Sequence, residues 1–298
     1  MQKLIVTANE AEQRLDRFLH KYLPAAGNDF IHKMLRLKNI TLNGKRAGGE
    51  ERISVGDEIT LFISDETLQK FHGRGHEPED YLAAFRRLEP IRILLENEHI
   101  LAVDKPVGVL SQKAARDDMS LNEWLIGYLL THGAIDAGQL DTFRPSILQR
   151  LDRNTGGIIL CGKTLAASQE ISRLFRMAAI DRYYLLAVAG RITVAGEWRG
   201  YLKKNRQGNT VKMTGELPPV DSDGGKSVPV ITRYKPLHVC PGLVEDSHVT
   251  LIEAELVTGK THQIRAQFAA AGHPIIGDAK YGDQTLNEAY KSAYGIDS

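Results

Sequence analysis

Apolar positions in the first sixty residues recur first at helical and then at strand spacing. Leu15, Phe18, Leu19 and Tyr22 fall on one face of a helix expected over residues 14–23. Ile31, Met34, Leu35 and Leu37 repeat that spacing in a second helix, with Asp29 as its expected N-cap. A strand at 40–42 follows, then a turn at Asn43-Gly44, then a partly alternating strand at 58–63. Residues 64–89 are polar, carry Gly73, Gly75 and Pro78, and read as a linker with a short helix around 81–88. Beyond it, strands are expected at 91–95 and 100–103, joined by the turn at 96–99, with helices at 121–130 and 165–177. Ile171, Leu174 and Phe175 share one face of the latter. Strands at 158–160, 183–189, 249–256 and 275–276 complete a mixed sheet. Residues 218–225, rich in Pro and Gly, read as an exposed loop.

Composition narrows the class. The chain has 298 residues, 42% hydrophobic and 25% charged, which suits one large or two smaller globular domains. No stretch reaches the roughly 18 uncharged apolar residues of a membrane helix. The amino terminus lacks an apolar core with a cleavage site, so a cytoplasmic protein is expected. Cys161 and Cys240 are far apart, lack metal-ligand spacing and sit among apolar residues, as ordinary buried thiols would. The net charge of +1 places any nucleic-acid affinity in local patches. Two exist: Lys33, Arg36, Lys38, Lys45 and Arg46, and then Arg199, Lys203, Lys204, Arg206 and Lys212, each without an intervening acid. Solvated surface is the plain alternative for either.

Two stretches carry candidate chemistry. In Gln149-Arg150-Leu151-Asp152-Arg153-Asn154-Thr155-Gly156-Gly157, a carboxylate beside an arginine precedes a turn and an apolar strand. Such an aspartate is either paired for structure or used as a nucleophile or base. The other is Gly259-Lys260-Thr261-His262-Gln263-Ile264-Arg265. A third stretch, Gly157 to Thr164, fits the phosphate-binding pattern G-x-x-x-x-G-K-[ST] letter for letter. Its centre is Ile-Ile-Leu-Cys, which favours a strand over a loop that wraps phosphate.

The first two stretches, with Asp104-Lys105-Pro106-Val107-Gly108, Arg182-Tyr183-Tyr184 and Gly272-His273-Pro274-Ile275-Ile276-Gly277-Asp278, resemble the RluA-type RNA pseudouridine synthases. Residues Arg14-Leu15-Asp16, Lys33, Asn43-Gly44-Lys45 and Val55-Gly56-Asp57 resemble the alpha-L RNA-binding domain of a ribosomal small-subunit protein. A generic small α/β unit is the other reading of that segment.

The resemblances imply an α+β protein with an alpha-L type RNA-binding domain at 1–64, a linker at 65–89 and a synthase domain at 90–298. The synthase domain would have a mixed, mainly antiparallel central sheet flanked by helices and loops. They imply Asp152 as the central catalytic residue and Arg265 as the cation that pairs with it and keeps it ionised. Tyr184 would stack on a flipped uracil and assist proton removal from carbon 5. Arg150 would fill the space the flipped nucleotide leaves, and Lys260 and His262 would touch phosphate or brace the Arg265 loop. Lys33, Arg36, Lys38, Lys45 and Arg46 would bind RNA phosphates, while Tyr281 and Asp278 would support the fold. Isomerisation to pseudouridine is redox-neutral and consumes no water, so no metal or organic cofactor is implied. The implied partner is RNA, most naturally ribosomal, with no membrane, no nucleotide cofactor and a monomeric chain.

Two positions depart from the family pattern: Gln149 stands for histidine and Gly156 for serine. They leave room for altered activity. A non-catalytic RNA-binding or ribosome-assembly protein, a P-loop nucleotidase and a carboxylate-dependent glycosidase are the other classes to separate.

Overall fold

The computed structural model describes residues 1–72, 78–88, 90–115, 117–205, 210–215, 227–244 and 246–295. It divides into two compact units, Met1–Arg173 and Leu174–Ser298.

The first unit opens with β1 (Gln2–Ile5), α1 (Leu15–Tyr22), α2 (Asn28–Arg36), β2 (Ile40–Leu42), β3 (Lys45–Arg46) and β4 (Glu58–Leu61). The four strands form an antiparallel sheet in the order β1-β4-β2-β3. Leu15, Phe18, Leu19 and Tyr22 are all buried, as their helical spacing requires, and join Ile31, Leu35, Ile40, Ile59 and Leu61 in one core. Asn43 (φ 51°) and Gly44 (φ 71°) both lie in the left-handed region. That conformation closes a two-residue hairpin whose twist matches its strands. Two details differ from expectation. The N-cap of α2 is Gly27, without a side-chain cap, and Asp29 instead lies in the first turn, where its charge suits the helix dipole. Leu37 follows the helix and is exposed.

The stretch read as a linker is largely helical: α3 (Asp65–His72) and α4 (Pro78–Arg87). Leu68 and Phe71 of α3 join the first core, where Phe71 lies 4.3 Å from Phe30, ring centre to ring centre. α4 packs instead on α5 (Leu121–Thr131), with Phe85 against Trp124. A Cβ on Gly127 would sit 2.1 Å from the Tyr81 carbonyl oxygen, so this helix contact needs glycine. Ser120 caps α5: its hydroxyl accepts from Asn122 N and donates to the Glu123 carboxylate.

β5 (Arg92–Glu96) and β6 (Ile100–Lys105), both expected, join β7 (Ser146–Ile147) and β8 (Gly157–Gly162) in a second antiparallel sheet ordered β5-β6-β8-β7. β8 occupies the phosphate-loop pattern, and Lys163 just beyond it is bound by the Glu96 carboxylate and the Asn97 carbonyl, both at 2.8 Å. The run is not uniformly buried: Ile159 and Cys161 enter the core and Ile158 is exposed. Burial pushes the Cys161 thiol up to about 12; Cys240 is only half-buried. α6 (Leu165–Arg176) carries the boundary between the units.

The second unit holds β9 (Tyr183–Ala189), β10 (Gly196–Asn205), β11 (Thr210–Thr214), β12 (Ser227–Pro241), β13 (His248–Leu256), α7 (Gln263–Ala270) and α8 (Gln284–Tyr294). Its strands form an antiparallel sheet, β11-β10-β12-β13-β9. The central sheet expected from the sequence is thus two sheets, one in each unit. β10, β11 and β12 were not anticipated. Pro229, Pro236 and Pro241 argue against a strand over 227–241, and a register shift between Pro236 and His238 accommodates the second of them. The strand expected at 275–276 is a single bridge from Ile275 to Val188. The loop expected at 218–225 lies outside the described residues. Among those described, no helix is long and apolar enough to cross a membrane.

Candidate active site

Asp152 sits in the first unit on the loop between β7 and β8, half-buried, at a turn closed by Thr155 N donating to its carbonyl. That loop is fastened to the loop after β6. The Ser111 hydroxyl, 3% exposed, donates to Leu151 O at 2.6 Å and accepts from Leu151 N at 3.0 Å. Gly108 N donates to Arg153 O, and Arg153 Nε returns a bond to Gly108 O at 3.0 Å. At the centre lies Lys105, fully buried, whose ammonium donates to Pro106 O (2.9 Å), Val109 O (2.8 Å) and Arg153 O (3.1 Å). Burial pulls its pKa down to about 8, against the opposing pull of the Asp152 charge. The clamp therefore puts a cation close to the candidate carboxylate and immobilises its backbone. Lys105 and Ser111 were not picked out as site residues from the sequence. The signal available was a lysine closing a strand that opens with four apolar residues.

Gln149 pairs through both ends of its amide with β8: Nε2 donates to Ile158 O and Oε1 accepts from Leu160 N, each at 3.2 Å. An amide can donate and accept at once, so Gln149 secures the loop base where the family has histidine. A Cβ on Gly156 would meet Lys105 O and Val107 Cγ2 at 3.4 Å, the near edge of ordinary contact, so the backbone leaves room for a Cβ where the family has serine. Arg150 is exposed.

Tyr184 and Arg265 belong to the second unit. Tyr184 lies opposite Ala254 near the start of β9, on the face that buries Leu186 and Val188, and packs against that core. Arg265 is on α7 and forms a two-pronged pair with Asp278, Nε to Oδ2 and Nη2 to Oδ1, both 2.7 Å. Asp278 also accepts from Lys280 N and Tyr281 N. Burial pushes its carboxyl up, but Arg265 and these amides outweigh burial and hold it below the usual range. The Tyr281 ring lies 5.2 Å from the guanidinium, and its hydroxyl accepts from Val211 N and meets His262 Nδ1 at 2.9 Å. His262 caps α7 in the left-handed region (φ 56°), a strained setting for a non-glycine residue. Gln263, 2% exposed, ties the same loop to Ile231, Thr232 and Thr258. His262 thus braces the start of α7, the helix that carries Arg265, while Lys260 is exposed.

In the amino-terminal segment, Lys33, Arg36, Lys38, Lys45 and Arg46 are all exposed, and none has an ion-pair partner among the described residues. His32, Leu35 and Arg36 of α2 share a surface groove with Arg46, Ala47 and Gly48. The fold has gathered cations ten residues apart. In the second basic run Arg199 pairs with Glu197 at 2.6 Å, and Arg206 lies outside the described residues. No group of three or more His, Cys, Asp and Glu able to hold a metal occurs among the described residues.

Residues 99–270 match the family described as RNA pseudouridylate synthase. This span is more than half of the chain, and the chain belongs to that family, in its RluA-type branch. It is an enzyme that isomerises uridine to pseudouridine in RNA. It is similar to the Rickettsia conorii protein named ribosomal large subunit pseudouridine synthase C, 30% identical over 280 residues, 92% of this chain and 83% of that one. The Escherichia coli K12 protein of the same name is 29% identical over 297 residues, 97% of this chain and 82% of its own. Human RNA pseudouridylate synthase domain containing 1, a solved structure, shares the fold at a TM-score of 0.52 and 22% identity, over 67% of this chain and 73% of that one.

Proposed function

We propose that this chain converts specific uridines of large-subunit ribosomal RNA to pseudouridine, with Asp152 as the central catalytic residue. The names of its relatives support the RNA class. The observation that carries the choice of Asp152 is the Lys105 clamp, whose ammonium ties that loop, through Arg153 O, to Pro106 O and Val109 O of the loop after β6. A preorganised carboxylate that needs no reordering is what a reacting group requires. The target base leaves its stack, which costs about a few kcal/mol, and phosphate contacts offset this. Tyr184 offers the ring on which the freed uracil turns. Arg265, held in one orientation by Asp278, is the cation that serves the reaction, and Arg150, Lys260 and His262 contact the RNA. Asp152 either attacks the sugar or removes a sugar proton. The bond from the sugar to nitrogen 1 breaks and nitrogen 1 gains a proton, carbon 5 bonds to the same sugar carbon and loses its proton, and Asp152 is released from the sugar or returns the sugar proton.

Residues 1–64 act as an RNA-binding domain of the alpha-L type, 65–89 join it to the synthase domain at 90–298, and Lys33, Arg36, Lys38, Lys45 and Arg46 grip phosphates. The protein works in the cytoplasm as a monomer, without a nucleotide cofactor. The test is tritium release from large-subunit ribosomal RNA labelled at uracil carbon 5, with Asp152→Asn alongside. Release by the native chain and none by the variant is expected. Equal release by both would remove Asp152 from the reaction, and release from transfer RNA alone would correct the substrate.

A further inference from the structure

The amino-terminal body is fastened to the part of the first unit that carries Asp152 through a short polar segment at 7–10. Glu10 is a carboxylate only 5% exposed. Its Oε2 accepts from Thr7 N at 2.7 Å and from the Thr7 hydroxyl. Its Oε1 accepts from the Thr142 hydroxyl at 2.7 Å, across 132 positions of sequence. The neighbouring Asn9 accepts, through Oδ1, from Leu165 N at 3.3 Å. Leu165 opens α6, where a helix leaves amide donors without internal partners. The segment is also tied back to its own body: Gln13 Nε2 donates to Glu10 O, and Lys21 Nζ of α1 donates to Gln13 Oε1. On the other side, Thr142 ends a stretch whose Leu140 is buried with Tyr81 and Ile126. Both ends of the fastening are therefore anchored in cores.

The fastening points matter because of where they fall. Thr142 precedes β7 and Leu165 follows β8, and Ser146 of β7 lies opposite Gly162 of β8. Both points thus adjoin the same end of the two-strand ladder. Asp152 rides on the loop at its other end. β8 has six residues, all paired with β6, so at about 3.3 Å per residue the strand sets a stiff offset of roughly 20 Å. A buried carboxylate must be satisfied by hydrogen bonds, and removing a partner is costly. Glu10 is therefore a poor choice for a connection meant to swing freely.

We propose that Glu10, Asn9 and Thr142 are specificity-determining positioning residues. They hold the phosphate-gripping face of residues 1–64 at a fixed offset from Asp152, so that the enzyme selects a uridine by its distance from a gripped backbone segment. This rests on the reading of residues 1–64 as an RNA-binding domain. The physical gain is effective concentration: a stiff connection of matched length presents the target uridine to the site, whereas a loose one dilutes it.

The experiment uses the full chain and two substrates made from one mapped site. One is full-length large-subunit ribosomal RNA. The other is a short hairpin holding the same uridine without the flanking RNA. Thr142→Val, nearly the same shape, and Glu10→Gln are compared with Asn9→Ala and with a double variant, Arg36→Ala with Arg46→Ala. Tritium release gives kcat and KM, modified positions are mapped, and thermal melting checks folding. Thr142→Val and Glu10→Gln are expected to lower kcat/KM about tenfold on the long RNA, through KM, and to spread modification to neighbouring uridines. On the hairpin they should act like the native chain, and Asn9→Ala should show the same pattern more weakly. Equal losses on both substrates would reduce the fastening to general stability and overturn the proposal. So would no loss on either. If the arginine variant weakens neither substrate, residues 1–64 do not grip RNA, and the reading beneath the proposal fails. If it weakens the long RNA while the Glu10 and Thr142 variants do not, the RNA-binding reading stands and the fixed offset alone is wrong.

Discussion

Each unit holds one charged knot beside a candidate catalytic residue, and the two are built oppositely. In the first unit a buried cation, Lys105, is surrounded by neutral carbonyls, and its pKa falls to about 8. In the second a buried anion, Asp278, is matched by a guanidinium and two amides, and its carboxyl is held below the usual range. Neutral acceptors satisfy an ammonium without supplying opposite charge, so burial still works against ionisation. A matched ion pair keeps both charges in place. The Lys105 knot should therefore respond to mildly alkaline pH and the Asp278 knot should not.

The largest effect expected is from Asp278→Asn, which leaves Arg265 in a partly buried site without its matched anion. It should lower stability by about 3 kcal/mol, read from the urea midpoint. A loss below about 1 kcal/mol would mean that the ion pair is no firmer than the carbonyl cage. Next is Lys105→Met, which keeps the volume and strips the donor from three carbonyls. A loss of about 1–3 kcal/mol is expected, with kcat falling and KM for RNA steady, because the Asp152 loop is loosened while the exposed cations of residues 1–64 are untouched.

The pH dependence separates activity from stability. The folded pKa of Lys105 lies below its ordinary value of 10.5. Between these two values the unfolded chain binds the proton that the folded chain has lost, so this group's contribution to stability rises with pH. Activity should instead fall as pH passes through about 8, as the carbonyls lose their shared donor. A profile of kcat that stays flat to pH 9.5, with the folded state intact, would unlink the clamp from catalysis. The smallest effect is expected from Gly156→Ser, since the added Cβ meets only ordinary contacts. Stability should stay within about 0.5 kcal/mol, and a larger loss, seen by thermal melting, would show the loop to be tighter than its backbone implies.

Much of this architecture was legible from periodicity. α1, β8 and β9 lie where apolar spacing put them, because each buries one face and leaves the other wetter. α7 was not legible: its inner face buries Gln263 and Gln267, which break an apolar stripe. β12 was hidden by its prolines. Asp152 stood out through its neighbours in sequence, and the amide of Gln149 does hydrogen-bond where histidine was expected. Lys105 did not stand out, since one of its three acceptors comes from Arg153, 48 positions on.

The sequence by itself determined elements such as α1, β8 and β9, the hairpin at Asn43-Gly44 and the motifs that define the family. These are local properties, set by backbone sterics and by the residues on one face. Only the tertiary structure decided which charges meet. It set Asp278 against Arg265, the distant Arg153 carbonyl against Lys105, and Thr142 against Glu10. The reason is that a buried polar group takes whatever partner packing brings within 3 Å or so, and sequence separation carries no information about that distance.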